Sequence, residues 1–378
     1  MTSRERLLAV LHHKMPDCVP CCPDISNMVP CRLTGKPFWD IYAFKNPPLW
    51  KAHLDALKYF DLDGGFEICD HNPVDPIDGR LLVKGEERVV KRFKDGSFAT
   101  QRFYPETGEW QKTLVVYTAD NPRAYDVMPE KMGLPAVPTE WEPLMGVKAW
   151  PVGMELCKII QKELGDQGIF GYDSGISTSL LRSVDDIYAY YDNPESFREK
   201  SRRLMVNLEK RMELIAQMNP RPDFLECGQS GSLIYQTPEI FRELALPLLK
   251  RATEMACDLG IPTHVHSCGP ETELVRMAAE ETSLTIVDPL EIPPMGDCIL
   301  SELKLRFGDK LVLKGNLHTT EVMLKGSVKE VIAASQQAID DAGKGGGFIL
   351  STGDQCGRDT PDDNIRAMVE TARTYGKY

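Results

Sequence analysis

From about residue 168 onward the chain alternates short apolar runs with longer amphipathic stretches. The runs are GIFGYD (168–173), DFLECG (223–228), PTHVHS (262–267), LTIVDP (284–289), LVLKGN (311–316) and GFILST (347–352). Each is too short for a helix and is bounded by turn residues, so each predicts a strand. Between them, stretches such as PEIFRELALPLLKRATEMACDLG and VKEVIAASQQAIDDAG repeat apolar positions at helical spacing. Two earlier runs, CVPCCPD (18–24) and GGFEIC (64–69), fit the same scheme. Eight strands, mostly followed by helices, predict an α/β fold, specifically a (β/α)8 TIM barrel. The N-terminal segment reads as an amphipathic helix, with Thr2 and Glu5 at capping-box spacing.

One region breaks this rhythm. Over 80–118 polar and apolar residues alternate with period two, with turn signals at Lys94-Asp95-Gly96 and Glu106-Thr107-Gly108. That pattern predicts a β-meander inserted after the second strand. The stretch 119–160 is rich in Pro and Trp and is expected to lie across the barrel mouth as a lid. With no internal repeat and no low-complexity linker, the economical organisation is a single domain over 1–378 carrying an insertion.

Charge and composition narrow the function classes. The balance of 44 basic against 56 acidic residues gives a net charge of −12, which argues against a dedicated nucleic-acid binder and for small-molecule or protein partners. No run of 18 apolar residues occurs, so no membrane span is expected. The N-terminus lacks the long apolar core of a signal peptide. Eleven cysteines, an odd number, suit a reduced, cytoplasmic setting of the kind an anaerobe offers. The sequence leaves the oligomeric state open, a homo-oligomer included.

Ligands of such a barrel sit at the C-terminal ends of the strands. The polar residues there are Asp24, Asp70, His71, Asp173, Glu226, Gln229, His266, Cys268, Asp288, Glu291, Asn316, His318, Asp354 and Cys356. Three are strong zinc ligands: His266 and Cys268 after the fifth strand, and Cys356 after the eighth. Positions i and i+2 of an extended segment share a face, and a residue from another strand end can converge on the same mouth. One imidazole and two thiolates leave a labile fourth position, as in a catalytic zinc site; Glu291 is the candidate displaceable carboxylate for it. The plain alternative for each cysteine is a core residue. His264 packs behind its strand on the plain reading, yet its parity with His266 makes it a candidate to orient that residue. His318 is a candidate substrate contact or a helix cap. Cys18 and Cys21 form a C-x-x-C, but no second such pair follows, and strand geometry does not put both on one face. KGGGF (344–348) lacks the features of a phosphate loop and precedes a strand, so it reads as a helix stop.

At this point the residues resemble a family. TSRERLLAVLHHKMPDCVP, HSCG, LKGNLH and the last strand are similar to the uroporphyrinogen decarboxylase superfamily over nearly the whole chain apart from the insertion. The resemblance implies the same barrel. The decarboxylases hold their substrate with an arginine-rich loop of the form R-Q-A-G-R after the first strand, where this chain has CCPDISNMVPCR, so a tetrapyrrole enzyme is the weaker reading. The other branch comprises zinc-dependent methyltransferases that work with a corrinoid protein, whose H-x-C and distant cysteine are matched by His266, Cys268 and Cys356. The resemblance then implies zinc, cobalamin carried by a partner protein, and a small-molecule methyl donor. STGDQCGRDTP is similar to the motif of the aryl-O-demethylase methyltransferases, which implies O-demethylation of a methoxylated aromatic compound. The alternative direction is methyl transfer to a thiol such as coenzyme M. Within this reading Glu291, Asp354 and Glu226 are the catalytic candidates, and Asp24, Asp173, Tyr235 and His318 the substrate-binding ones. Tyr172 and Phe224 are aromatic candidates with barrel packing as their plain role.

Overall fold

The computed structural model describes residues 1–66, 72–228 and 231–378. The chain divides into two compact units: Met1–Asp24, Phe60–Glu67 and Leu164–Tyr378 form one, and Ile25–Tyr59 with Ile68–Glu163 form the other. The second unit thus takes up more of the chain than the alternating stretch 80–118 and the Pro/Trp-rich stretch that follows it.

The second unit is built on a five-stranded antiparallel sheet of β1 (Glu86–Arg92), β2 (Phe98–Tyr104), β3 (Glu109–Tyr117), β4 (Ala124–Val127) and β5 (Glu142–Pro143), in the order β4-β3-β2-β1-β5. The β1–β2 turn needs Gly96, whose φ of +89° L-residues rarely adopt. There Asp95 accepts the backbone N–H of Ser97 at 3.0 Å, an Asx turn. The inward face of the sheet packs Val89, Phe98 and Tyr117 against Phe38, Ile41 and Leu49 from the preceding helices.

The first unit carries a six-stranded parallel sheet of β6 (Gly171–Asp173), β7 (Phe224–Glu226), β8 (Thr263–His266), β9 (Ile286–Asp288), β10 (Val312–Leu317) and β11 (Phe348–Thr352), with neighbours in strict chain order. Helices separate successive strands, as parallel pairing requires. β10 and β11 are buried along their whole length, the mark of strands covered on both faces.

Among the described residues, the two early predicted strands make isolated bridges. Cys21 makes a single parallel bridge to Leu350, and Gly64 one to Gly168. Backbone bonds tie these segments further: Cys22 N–H to Leu350 (2.9 Å), Asp63 N–H to Cys21 (2.9 Å) and Ile169 N–H to Gly64 (3.0 Å). Pro20 and Pro23 lack the N–H donors that a full ladder needs, and Gly65 has φ +117°. Among the described residues, the regular strands of this unit number six. The rest of the predicted run 64–69, with candidates Asp70 and His71, lies outside the described residues, as does Gln229.

The N-terminal helix, Ser3–Leu11, has the capping box of Thr2 and Glu5. Its Leu7, Val10 and Leu11 pack with Ile169, Phe224, Ile286, Val312 and Ile349. Those strand residues lie at or near the N-terminal ends of their strands. The helix thus closes that end with apolar side chains and leaves polar chemistry to the other.

Candidate metal centre

The C-terminal ends of β7, β8 and β9 each finish on an ionisable residue: Glu226, His266 and Asp288. Parallel register places His264 beside Glu226 and His266 beside Asp288. Because His264 and His266 share parity, both imidazoles reach one carboxylate: Asp288 Oδ1 lies 2.8 Å from His264 Nε2 and 3.0 Å from His266 Nδ1. Its other oxygen, Oδ2, accepts the Lys314 ammonium of β10. His264 Nδ1 meets Glu226 Oε2 at 2.6 Å, and the rings of Phe66 (tilted) and Phe224 (T-shaped) lie against its imidazole with centroids 5.1 and 6.1 Å away.

This is a buried charge network, with Asp288, Lys314 and His264 all nearly inaccessible. Burial pushes the Asp288 carboxyl up, but Lys314, His264 and His266 together outweigh it and hold the group well below the usual carboxylate range. Burial opposes the His264 cation, yet Glu226 and Asp288 raise its pKa to about 9. Buried charges are tolerated only when paired in this way. The pattern fixes the His266 ring, whose Nδ1 is engaged by Asp288 while Nε2 points to Cys268 Sγ at 3.9 Å and Asp354 Oδ1 at 3.8 Å.

Among the described residues, the metal-ligating side chains that converge are His266, Cys268 and Asp354, whose ligand atoms all lie within 4.8 Å of one another. Asp354 stands in the loop after β11 with φ +103°, a conformation that a non-glycine residue keeps only where its surroundings impose it. Cys356, the expected third ligand, is fully buried two residues on and does not join that set. Its N–H donates to the carbonyl of Asp24 at 2.8 Å. An imidazole, a thiol and a carboxylate, partly exposed, with the second imidazole nitrogen held by a carboxylate, suit a zinc ion.

The remaining candidates scatter around this centre. Asp24 is buried, with its N–H on the Thr352 hydroxyl at 3.0 Å, and its charge acts on His266. Glu291 accepts the N–H of Gly269 at 2.5 Å, and burial raises its carboxyl, helped by Asp354. Asp173 accepts the N–H of Gly175 in its own loop. Tyr235 is 38% exposed. His318 Nδ1 accepts the N–H groups of Thr320 and Glu321, both at 3.2 Å, and so caps the turn over Thr319–Leu324. Cys18, Cys21 and Cys22 are buried and form no disulfide.

Two participants went unread in the sequence. Lys314 is a lone cation inside an apolar strand, which is itself a signal, since lysine is almost never fully buried without a partner. Glu271 is fully buried and accepts the N–H groups of Leu290 (2.6 Å) and Glu291 (3.3 Å). It therefore anchors Leu290, which has φ +59°, and sets where Glu291 leaves the sheet.

Residues 230–375 match the family model described as uroporphyrinogen decarboxylase (URO-D). A uroporphyrinogen decarboxylase of Anaeromyxobacter dehalogenans is 28% identical over 138 residues, which is 36% of this chain and 37% of that protein. The methylcobamide:CoM methyltransferase MtbA of Methanosarcina mazei is 29% identical over 199 residues, 52% of each chain. The matches thus span about half or less of these curated relatives. A solved methyltransferase from Methanosarcina mazei superposes with a TM-score of 0.61 at 17% identity, covering 99% of both chains. The stretch that matches the URO-D family model, residues 230–375, contains His264, His266, Cys268, Asp288, Lys314 and Asp354 together.

Proposed function

We propose that this protein is a zinc-dependent methyltransferase that moves the methyl group of a methoxylated aromatic compound to the Co(I) of a corrinoid protein. The observation that carries this reading is the convergence of His266, Cys268 and Asp354 on one point beside a buried carboxylate that orients the histidine. The similarity to a methylcobamide:CoM methyltransferase supports the chemistry. In this reading the bridges at Cys21 and Gly64 complete a (β/α)8 barrel formed with β6–β11, and 1–378 works as one enzyme of which the antiparallel unit is an insertion.

His266 and Cys268 hold the metal, and the loop after β11 supplies the rest, from Cys356 as the second thiolate and Asp354 as a carboxylate. Asp354 fits the displaceable fourth position better than Glu291, because Glu291 is committed to the N–H of Gly269. Bound there, zinc supplies a Lewis acid for the heteroatom that carries the methyl group. Asp288 fixes the His266 ring, so that Nε2 is the free nitrogen facing Cys268 and Asp354. Lys314 and His264 keep Asp288 ionised for that task. Glu226 holds His264 from the other side.

Metal analysis tests this reading. The purified protein carries about one equivalent of zinc, and His266→Ala and Cys268→Ala lose it. Zinc below half an equivalent in the wild type, or retained in both variants, contradicts the assignment. The transfer of methyl to a thiol is the second reading, favoured by the similarity to the methylcobamide:CoM methyltransferase of Methanosarcina mazei. Methyl loss from cobalt on adding coenzyme M, with no reaction from any methoxyarene, selects it.

A further inference from the structure

The antiparallel unit holds a cavity of its own, about 770 Å3 in volume, a size typical of small-molecule sites. Leu49, Val115 and Leu144 give it an apolar wall, while Trp50, Trp150 and Tyr125 add aromatic faces. Trp50 and Trp150 meet edge to face with ring centroids 5.4 Å apart, so that corner is a packed aromatic floor rather than loose surface. The charged residues that line the cavity are Lys45, Arg102 and Arg123 against one carboxylate, Glu87.

That carboxylate is already engaged. Glu87 stands directly across from Arg102 in the β1–β2 register, yet its Oε1 takes the hydroxyls of Thr100 (2.6 Å) and Tyr117 (2.5 Å). Among the described residues no ion pair links it to either arginine. Arg123 lies instead over the rings of Tyr42 and Tyr125, 5.4 and 4.9 Å from their centroids, with Tyr117 and Glu87 also acting on its charge. The Nε atoms of Arg102 and Arg123 and the indole Nε1 of Trp50 are all buried and make no hydrogen bond among the described residues. Trp50 is itself only 8% exposed. Three buried donors without a partner on residues that line one cavity are unusual, because buried polar groups ordinarily find partners.

We propose that this cavity binds a small organic anion with an aromatic body, an aromatic carboxylate. The carboxylate takes the guanidinium donors of Arg102 and Arg123, for which a planar two-oxygen acceptor is the natural match. The ring takes the apolar wall and the Trp50 and Trp150 faces. The inference stands on this unit alone and does not depend on the methyl-transfer reading.

Calorimetric titration of the full chain with 2-naphthoate, with 2-naphthylmethanol as the uncharged analogue, tests it. The expected result is saturable binding of the carboxylate, at least tenfold weaker binding of the alcohol, and a tenfold or greater loss for the carboxylate in Arg123→Met. If Arg123→Met fails to fold, Val147→Trp at the exposed rim blocks the cavity instead and gives the same loss. Binding that is absent in the wild type, or equal for acid and alcohol, overturns the proposal. So does binding that survives Val147→Trp but disappears in His266→Ala, because the ligand then sits at the metal centre.

Discussion

Asp288 is the residue on which the candidate centre turns, since one fully buried carboxylate serves His264, His266 and Lys314 at once. Replacing Asp288 with Asn removes the charge that orients His266 and leaves Lys314 buried without a counter-ion. Chelator competition is expected to show zinc affinity lowered about 10- to 100-fold, the usual cost of losing a ligand's supporting carboxylate. Thermal unfolding of the same variant is expected to show a loss on the order of 3–5 kcal/mol from the unpaired charge. Adding Lys314→Met recovers most of that stability and none of the zinc affinity. Recovery of both would mean that Asp288 acts only structurally. Asp354 offers the complementary case. Its φ of +103° costs about 1–3 kcal/mol in a residue with a side chain, so Asp354→Gly is expected to raise the melting temperature while weakening metal binding. A variant that is less stable, or that binds zinc as the wild type does, contradicts a functional reason for the strain.

At the scale of elements, the connection from β8 into the helix Thr272–Glu281 sets the geometry after β9. Glu271 sits at its start, accepts the N–H groups of Leu290 and Glu291, and has its second oxygen buried without a partner. Burial, reinforced by Asp288, raises its carboxyl well above the usual range. The folded state therefore holds a proton that the unfolded chain releases near pH 4.5, and the linkage sign follows. Its contribution to stability is full at low pH and declines as pH rises from about 4.5 through the raised folded value. Glu271→Gln keeps an acceptor for Leu290 without the titration. Urea unfolding between pH 5 and 8 is expected to show a shallower decline in Glu271→Gln than in the wild type. Parallel curves would remove Glu271 as the cause.

For the whole molecule, the sequence made the parallel half legible. Six apolar runs of strand length became β6–β11 in order, because strands buried on both faces read as continuous apolar runs. In the run at 18–24, apolar character does not reveal that Pro20 and Pro23 lack the N–H donors of a full ladder. His266 and Cys268 were legible from i, i+2 parity. That Asp354 stands with them was not, because a loop residue's position depends on backbone such as its positive φ. Lys314 and Glu271 were missed because their roles lie in contacts between residues 19 to 26 positions apart. The division into two units extends well beyond the alternating stretch, since helices such as Phe38–Tyr42 pack with that sheet. Among the described residues no helix is long and apolar enough to cross a membrane.

The most direct measurement is the absorption spectrum of cob(I)alamin mixed with the zinc-loaded protein and a panel of methoxyarenes. The account predicts that at least one methoxyarene converts the Co(I) spectrum to that of methylated cobalt, with the free phenol released in equal amount, and that His266→Ala and Cys268→Ala abolish the change. A spectrum unchanged by every methoxyarene, or a conversion that proceeds equally in the metal-free variants, would contradict it.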